Sequence, residues 1–213
     1  MAELFETHNF LFLMGGFQVT LEIGFFSIIF SILIGTFICI FRYLKIPILA
    51  QLGSLYVHII RNIPCLLFVL VARFMTPLPP VYSGILAMSV FTGAIMAEII
   101  RSGINSIPKS QYETAVSQGM SRIQAMNHII LPQAFRNIIP AMVSQITTVI
   151  KDSSFVWAVG TEELTGRASI LIGRYSDSTH FLLIMGTVAI IYFVLNYTIS
   201  QIARWQHRRL TVK

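Results

Sequence analysis

Pro108-Lys109-Ser110-Gln111-Tyr112-Glu113-Thr114-Ala115-Val116-Ser117-Gln118-Gly119-Met120-Ser121-Arg122-Ile123-Gln124-Ala125-Met126-Asn127-His128-Ile129-Ile130-Leu131-Pro132 is a polar island between two intensely apolar stretches. Its residues predict two short, capped helices. Ser110 stands three residues before Glu113, the spacing of a capping box in which each side chain satisfies a free backbone N–H at a helix start. Pro108 discourages that helix from extending backwards. Gly119 stands where a left-handed residue would end it. Ser121 and Gln124 then repeat the box, and Pro132 is expected to break or kink the second helix. Tyr112, Ala115 and Val116 are spaced to share a face. Such a pair of helices between apolar spans is suited to presenting a surface to a partner. The plainer alternative is that Glu113 and Gly119 only cap and end a helix lying at the interface.

The surrounding composition supplies the solvent. The 213 residues are 55% hydrophobic and 11% charged, and the mean hydropathy is +0.74. A soluble domain carries about 25% charged residues, so one all-α integral membrane domain over residues 1–213 is indicated. The net charge of +6 flanks apolar spans and lines no single face, which argues against nucleic acid. Cys39 and Cys65 fall in apolar stretches and read as small hydrophobes. The first ten residues carry Glu3 and Glu6 and no Lys or Arg, unlike a secretory signal, so the first span is expected to be retained.

A crossing helix needs roughly 20 apolar residues. Five stretches qualify: about 17–41, 55–75, 81–100, 138–160 and 181–203. Arg42 and Lys45 follow the first, Arg101, Lys109, Arg122 and Arg136 the third, and Arg204, Arg208, Arg209 and Lys213 the fifth. With five spans these groups share one side, the cytoplasm by the positive-inside rule, and the amino terminus lies outside. Opposite them are Glu3, Glu6, a turn holding Pro77, Pro79 and Pro80, and a loop where Glu162, Glu163 and Asp177 offset Arg167 and Arg174. The long loop at about 102–137 is then cytoplasmic. The halves show no repeat, which counts against an inverted-repeat carrier.

Ionisable groups inside a span are costly and mark functional candidates. Lys151 and Asp152 fall near the middle of the fourth span, about 100° apart around a helix, so they cannot face one partner. Ser153 and Ser154 can bond back to the backbone. Together these form a candidate midplane patch for a zwitterionic ligand; the alternative is a buried ion pair that fixes packing. Arg61 and Glu98 lie at similar depth and are allowed to pair. Arg61 precedes Pro64, which is expected to kink the second span. Glu22, about one turn into the first span, is a weaker candidate for an amine.

The island reads ETA at 113–115, three residues, Gly119, nine residues, then IILP at 129–132. This resembles the EAA loop of ATP-binding-cassette importer permeases, with Thr114 in place of the usual alanine. The runs HIIRNIPCLLFVL from His58, GAIMAEIIRSGINSIPKSQYETA from Gly93 and VIKDSSFVWAVG from Val149 resemble the polar amino-acid permeases of that family. The resemblance implies a type I importer permease fold in a bacterial inner membrane. It implies that Glu113, Ala115, Gly119, Ile129, Leu131 and Pro132, with Ser110 at the start, couple to a cytoplasmic ATPase. It further implies a second membrane subunit, identical or homologous, and an extracytoplasmic solute-binding protein delivering the amino acid. No GxxxxGK[ST] phosphate loop, HExxH, paired-cysteine or GxSxG motif is present, so no catalytic site is expected here. ATP and Mg belong on the partner ATPase. A stand-alone ion-coupled carrier or channel, or a membrane scaffold without transport, are the alternatives.

Overall fold

Small residues at helical spacing set the largest interface. In a computed structural model, which describes residues 7–175 and 177–211 with side chains through residue 206, helix α1 runs Thr7–Tyr43. Its buried face includes Gly16, Thr20, Gly24, Ser27, Ser31, Gly35 and Cys39, a repeat of three and four that keeps one stripe inward. α4 (Pro80–Asn105) meets it where Gly93 lies against Ile34 and where Met96 and Ala97 lie against Gly35. Between helices in lipid there is no hydrophobic drive, so close approach of small side chains supplies the attraction. A β-carbon on Gly35 would stand 2.6 Å from Met96 Cβ and 2.8 Å from the Ala97 backbone nitrogen; the approach needs glycine there.

α1, α4 and α9 (Ser178–Thr211) are long and apolar enough to cross a membrane. The second expected span is broken. α2 (Leu49–Arg61) and α3 (Cys65–Met75) meet at 106°. Pro64 pushes Ile63 out of helical geometry and becomes the cap of α3 at φ −59°, ψ 137°. Asn62 Nδ2 donates to the His58 carbonyl at 2.6 Å, which closes the end of α2. The fourth expected span is α7 (Leu131–Asp152), then a 3-10 turn over Ser153–Val159 and a left-handed Gly160. By composition α7 does not pass as an apolar crossing. It packs on α4 and α9, with Ile138, Val149 and Ile150 buried and Arg136, Asn137, Ser144 and Lys151 left exposed. Among the described residues, three helices and one bent pair are thus long and apolar enough to cross, where five spans were expected.

The remaining elements are short. α5 (Lys109–Ser117) and α6 (Arg122–Ala125) form the hairpin of the quoted island, and α8 (Leu164–Arg174) follows the 3-10 turn. Since α4 extends to Asn105 and α7 begins at Leu131, the loop is 106–130, shorter than 102–137. The proline-rich connection is a tight turn as expected: Thr76 Oγ1 donates to the Ala72 carbonyl at 2.6 Å, and Pro80 opens α4. One core joins α1, α3, α4, α7 and the 3-10 turn through Ile23, Val69, Met88, Val149 and Val156. A second joins α1, α8 and α9 through Leu13, Leu164, Leu171 and Ile184. Phe25, Phe37, Ile190 and Phe193 stay exposed on the outer faces of α1 and α9. Glu3, Glu6 and Lys213 lie outside the described residues, as do the side chains of Arg208 and Arg209.

Candidate functional site

The hairpin forms with one of its two expected capping boxes. Ser121 N–H donates to Gln124 Oε1 at 2.9 Å, and Gln124 N–H donates to Ser121 Oγ at 3.3 Å. The Ser110–Glu113 box is not made. Pro108, held at φ −56° and ψ 132°, occupies the cap itself, so α5 starts at Lys109 and Ser110 and Glu113 lie inside it, exposed. Gly119 has φ +90°. Its N–H donates to the Val116 carbonyl at 3.0 Å and that of Met120 to the Ala115 carbonyl at 3.1 Å, the paired closure of a Schellman motif. Ala115 is buried, Tyr112 half-buried and Val116 exposed, so the three do not share one covered face.

Beneath the hairpin, Ile107, Ile130 and Ala134 form a core with Tyr112, Met126 and Ile129 around it. Pro132 does not end the second helix. Residues Met126–Ile130 form a π turn that runs directly into α7, where Leu131 and Pro132 fill the first two positions. The Leu131 N–H reaches back five residues to the Met126 carbonyl. That wider register accommodates a ring that can neither donate nor tolerate the carbonyl four residues earlier. Two side chains one turn apart on α7 then clamp the hairpin. Gln133 Nε2 donates to Gln111 Oε1 at 2.6 Å, and Asn137 Nδ2 donates to Ser106 Oγ at 2.8 Å.

α7 has 22 residues, about 33 Å at 1.5 Å per residue. Its far end carries Lys151 and Asp152, which face different neighbours. Lys151 lines a groove of about 500 Å³ with Thr147, Asn196, Ser200 and Arg204. Asn196 Oδ1 is buried there without a hydrogen-bond partner. Asp152 is within electrostatic reach of Cys65 at the start of α3, beside the α2–α3 break. Ser153 Oγ is buried and donates to the Ile150 carbonyl at 2.7 Å, bonding back as expected. Glu22 is half-buried and makes no ion pair or hydrogen bond with another described residue. α1 begins at Thr7, so Glu22 lies about four turns from the start of the helix.

The expected Arg61–Glu98 pair is not formed. Glu98 is held by Arg42, at the end of α1, and by Arg101 Nη2 at 2.8 Å. Arg61 lines the same cleft, but the carboxylate is already occupied. The Arg42 side chain is only 11% exposed. Glu98→Ala is therefore expected to lower the stability by about 1–2 kcal/mol, less than for a fully buried pair because both side chains keep some solvent. Thermal unfolding of the purified protein measures it, and Glu98→Gln should lose less.

Sequence reasoning placed Glu163 among exposed loop charges. It is fully buried. Its carboxylate accepts from the backbone N–H groups of Thr165 at 3.0 Å and Gly166 at 2.8 Å, capping α8. It also accepts from Thr20 Oγ1 at 3.2 Å and the Tyr192 hydroxyl at 3.1 Å. One side chain thus ties α8 to α1 and α9. Next to it Arg167 Nη1 donates to the Phe12 carbonyl at 2.8 Å, with the guanidinium over the Phe12 ring.

A family model described as binding-protein-dependent transport system inner membrane component matches residues 27–212. The chain belongs to that family. It is 38% identical over 205 residues to the probable glutamine ABC transporter permease protein GlnP of Bacillus subtilis (strain 168), covering 94% of each chain. It is 35% identical over 208 residues to the probable glutamine ABC transporter permease protein GlnM of the same organism, covering 95% of this chain and 94% of that one. Among solved structures it is similar to that of an amino acid ABC transporter with histidines. There the TM-score is 0.85 at 30% identity, covering 93% of this chain and 94% of that one. The inward-facing MetNI methionine ABC transporter is matched at TM-score 0.75 and 20% identity, covering 93% and 98%, a likeness of fold alone. The chain is thus a permease subunit of an ATP-binding-cassette importer and not itself an enzyme, which sets aside the stand-alone carrier.

Proposed function

We propose that the chain moves a polar amino acid across a bacterial inner membrane, with the 106–130 hairpin on the cytoplasmic side as the grip of an ATPase. One observation carries this reading: α6, the π turn and α7 are a single helical run, so the hairpin cannot move without the helix that holds Lys151. The hairpin surface also has anchors that its polar sequence concealed. Val116 is 40%, Met120 36% and Ile123 73% exposed, beside exposed Glu113 and Gly119. Exposed apolar side chains on a capped, rigid segment are suited to a protein groove. The relatives' names support the substrate class, and the family description supports delivery by a solute-binding protein on the outer face.

ATP and Mg are held by the partner ATPase, whose closure displaces the hairpin. The clamps at Gln133 and Asn137 pass that displacement to α7. α7 then shifts against α9, where the groove offers complementary groups for a zwitterion. The Lys151 ammonium suits a carboxylate, and Asn196 Oδ1, buried without a partner, becomes available to an ammonium once α7 moves. Asp152, half-buried at the end of α7, lies within electrostatic reach of Cys65 beside the α2–α3 break. A second permease subunit completes the pathway against the apolar faces left uncovered. Lys151→Ala and Asp152→Ala are expected to reduce uptake in proteoliposomes about tenfold, the effect of roughly 1.4 kcal/mol of lost binding. The ATPase should still co-purify. Wild-type uptake in both variants removes the midplane patch.

A further inference from the structure

One cleft lies apart from the Lys151 groove and reaches the hairpin only at the Asn137–Ser106 clamp. It has a volume of about 770 Å³ and lies between the end of α2, the second half of α4 and the first half of α7. Arg61, Arg101 and Arg136 line it against a single carboxylate, Glu98. Glu98 is already shared by Arg42 and Arg101. Arg61 and Arg136 are exposed, and neither makes an ion pair with a described residue. A guanidinium presents its N–H groups as a planar fork that fits the two oxygens of a carboxylate. The same wall supplies an acceptor. Pro140, inside α7, has no N–H, so the carbonyl of Arg136 four residues earlier lacks its helical partner. Two unspent guanidinium groups beside an unspent carbonyl complement a carboxylate and an ammonium carried close together.

We propose that this cleft is a second amino-acid site on the hairpin side of the permease, with the ligand carboxylate on Arg61 and Arg136 and its ammonium on the Arg136 carbonyl. The proposal rests on the amino-acid reading above. A ligand there touches α2, α4 and α7 at once. It favours the arrangement in which the cleft is open, by its difference in affinity between arrangements. Amino acid accumulating on the hairpin side therefore slows the cycle.

The test uses the intact permease–ATPase complex in nanodiscs of zwitterionic lipid. Asn105→Cys puts a thiol on the cleft wall, while Cys39 and Cys65 are buried. Its modification by a methanethiosulfonate reagent is timed with L-glutamine or L-glutamate present. Protection of at least threefold is expected, lost in Arg61→Gln/Arg136→Gln and kept in Lys151→Ala. Arg61→Gln alone, at an exposed position, covers misfolding of the double variant. Unchanged protection in the arginine variants overturns the site, as does no protection in a complex that imports. Protection by added phosphatidylglycerol and not by amino acid assigns the arginines to a lipid phosphate and equally overturns it. A wild-type complex that imports no amino acid defeats the functional reading, and this site with it.

Discussion

Gly119→Val is expected to lower amino-acid uptake per ATP hydrolysed by about tenfold. Gly119 sits at φ +90°, and a β-carbon there would meet nothing within 4 Å. The whole penalty is therefore in the backbone, about 1–2 kcal/mol for a left-handed non-glycine residue and more for a β-branched one. Valine would release the two closing bonds to Val116 and Ala115 and let α5 swing relative to α6. Hydrolysis by the ATPase would continue while its motion dissipated in a loose hinge. Asparagine tolerates the left-handed region, so Gly119→Asn should keep most of the coupling, with alanine between the two. Uptake and phosphate release measured in the same proteoliposomes decide it. Equal coupling in valine and glycine would show that hairpin rigidity is not needed.

Glu163→Ala is expected to produce the largest loss of stability, about 3 kcal/mol or more. Four donors point at this buried carboxylate: two backbone N–H groups, Thr20 Oγ1 and the Tyr192 hydroxyl. Leaving a buried donor unmade costs about 1–3 kcal/mol, and rotation of the two hydroxyls recovers part of the sum. Thr20 Oγ1 also accepts the Leu164 N–H at 3.1 Å, so the loss spreads from the start of α8 into α1. The unfolding midpoint should fall clearly in Glu163→Ala and less in Glu163→Gln, which keeps one acceptor oxygen. An unchanged midpoint in the alanine variant would mean that α1, α8 and α9 are held together by apolar packing alone.

Local chemistry made the hairpin legible. Ser121, Gln124 and Gly119 act within five residues of one another, and each does what its side chain or lack of one dictates. The Ser110–Glu113 box failed because Pro108 takes the cap first, a competition that spacing alone does not rank. Long apolar runs gave α1, α4 and α9. The break at Pro64 and the π turn before Pro132 were harder: a proline announces a disturbance, and the tertiary setting decides between kink, break and register change. Arg61 and Glu98 were matched by depth, but depth leaves the rotation of each helix open. The small-residue stripe on α1 brings Arg42 to Glu98 instead. Glu163 was hidden for a related reason. Its donors come from Thr20 and Tyr192, at sequence distances of 143 and 29 residues, and nothing next to it announces burial.

The most direct test of the account is a thiol cross-link from Ile123→Cys, on the most exposed apolar side chain of the hairpin. In membranes holding the assembled importer, a short bifunctional thiol reagent should join this position to the ATPase subunit, and a membrane-impermeant maleimide applied to intact cells should leave it unlabelled. Labelling from outside, or an importing complex that yields no adduct with the ATPase, would contradict the claim that this hairpin passes the motor's movement to α7.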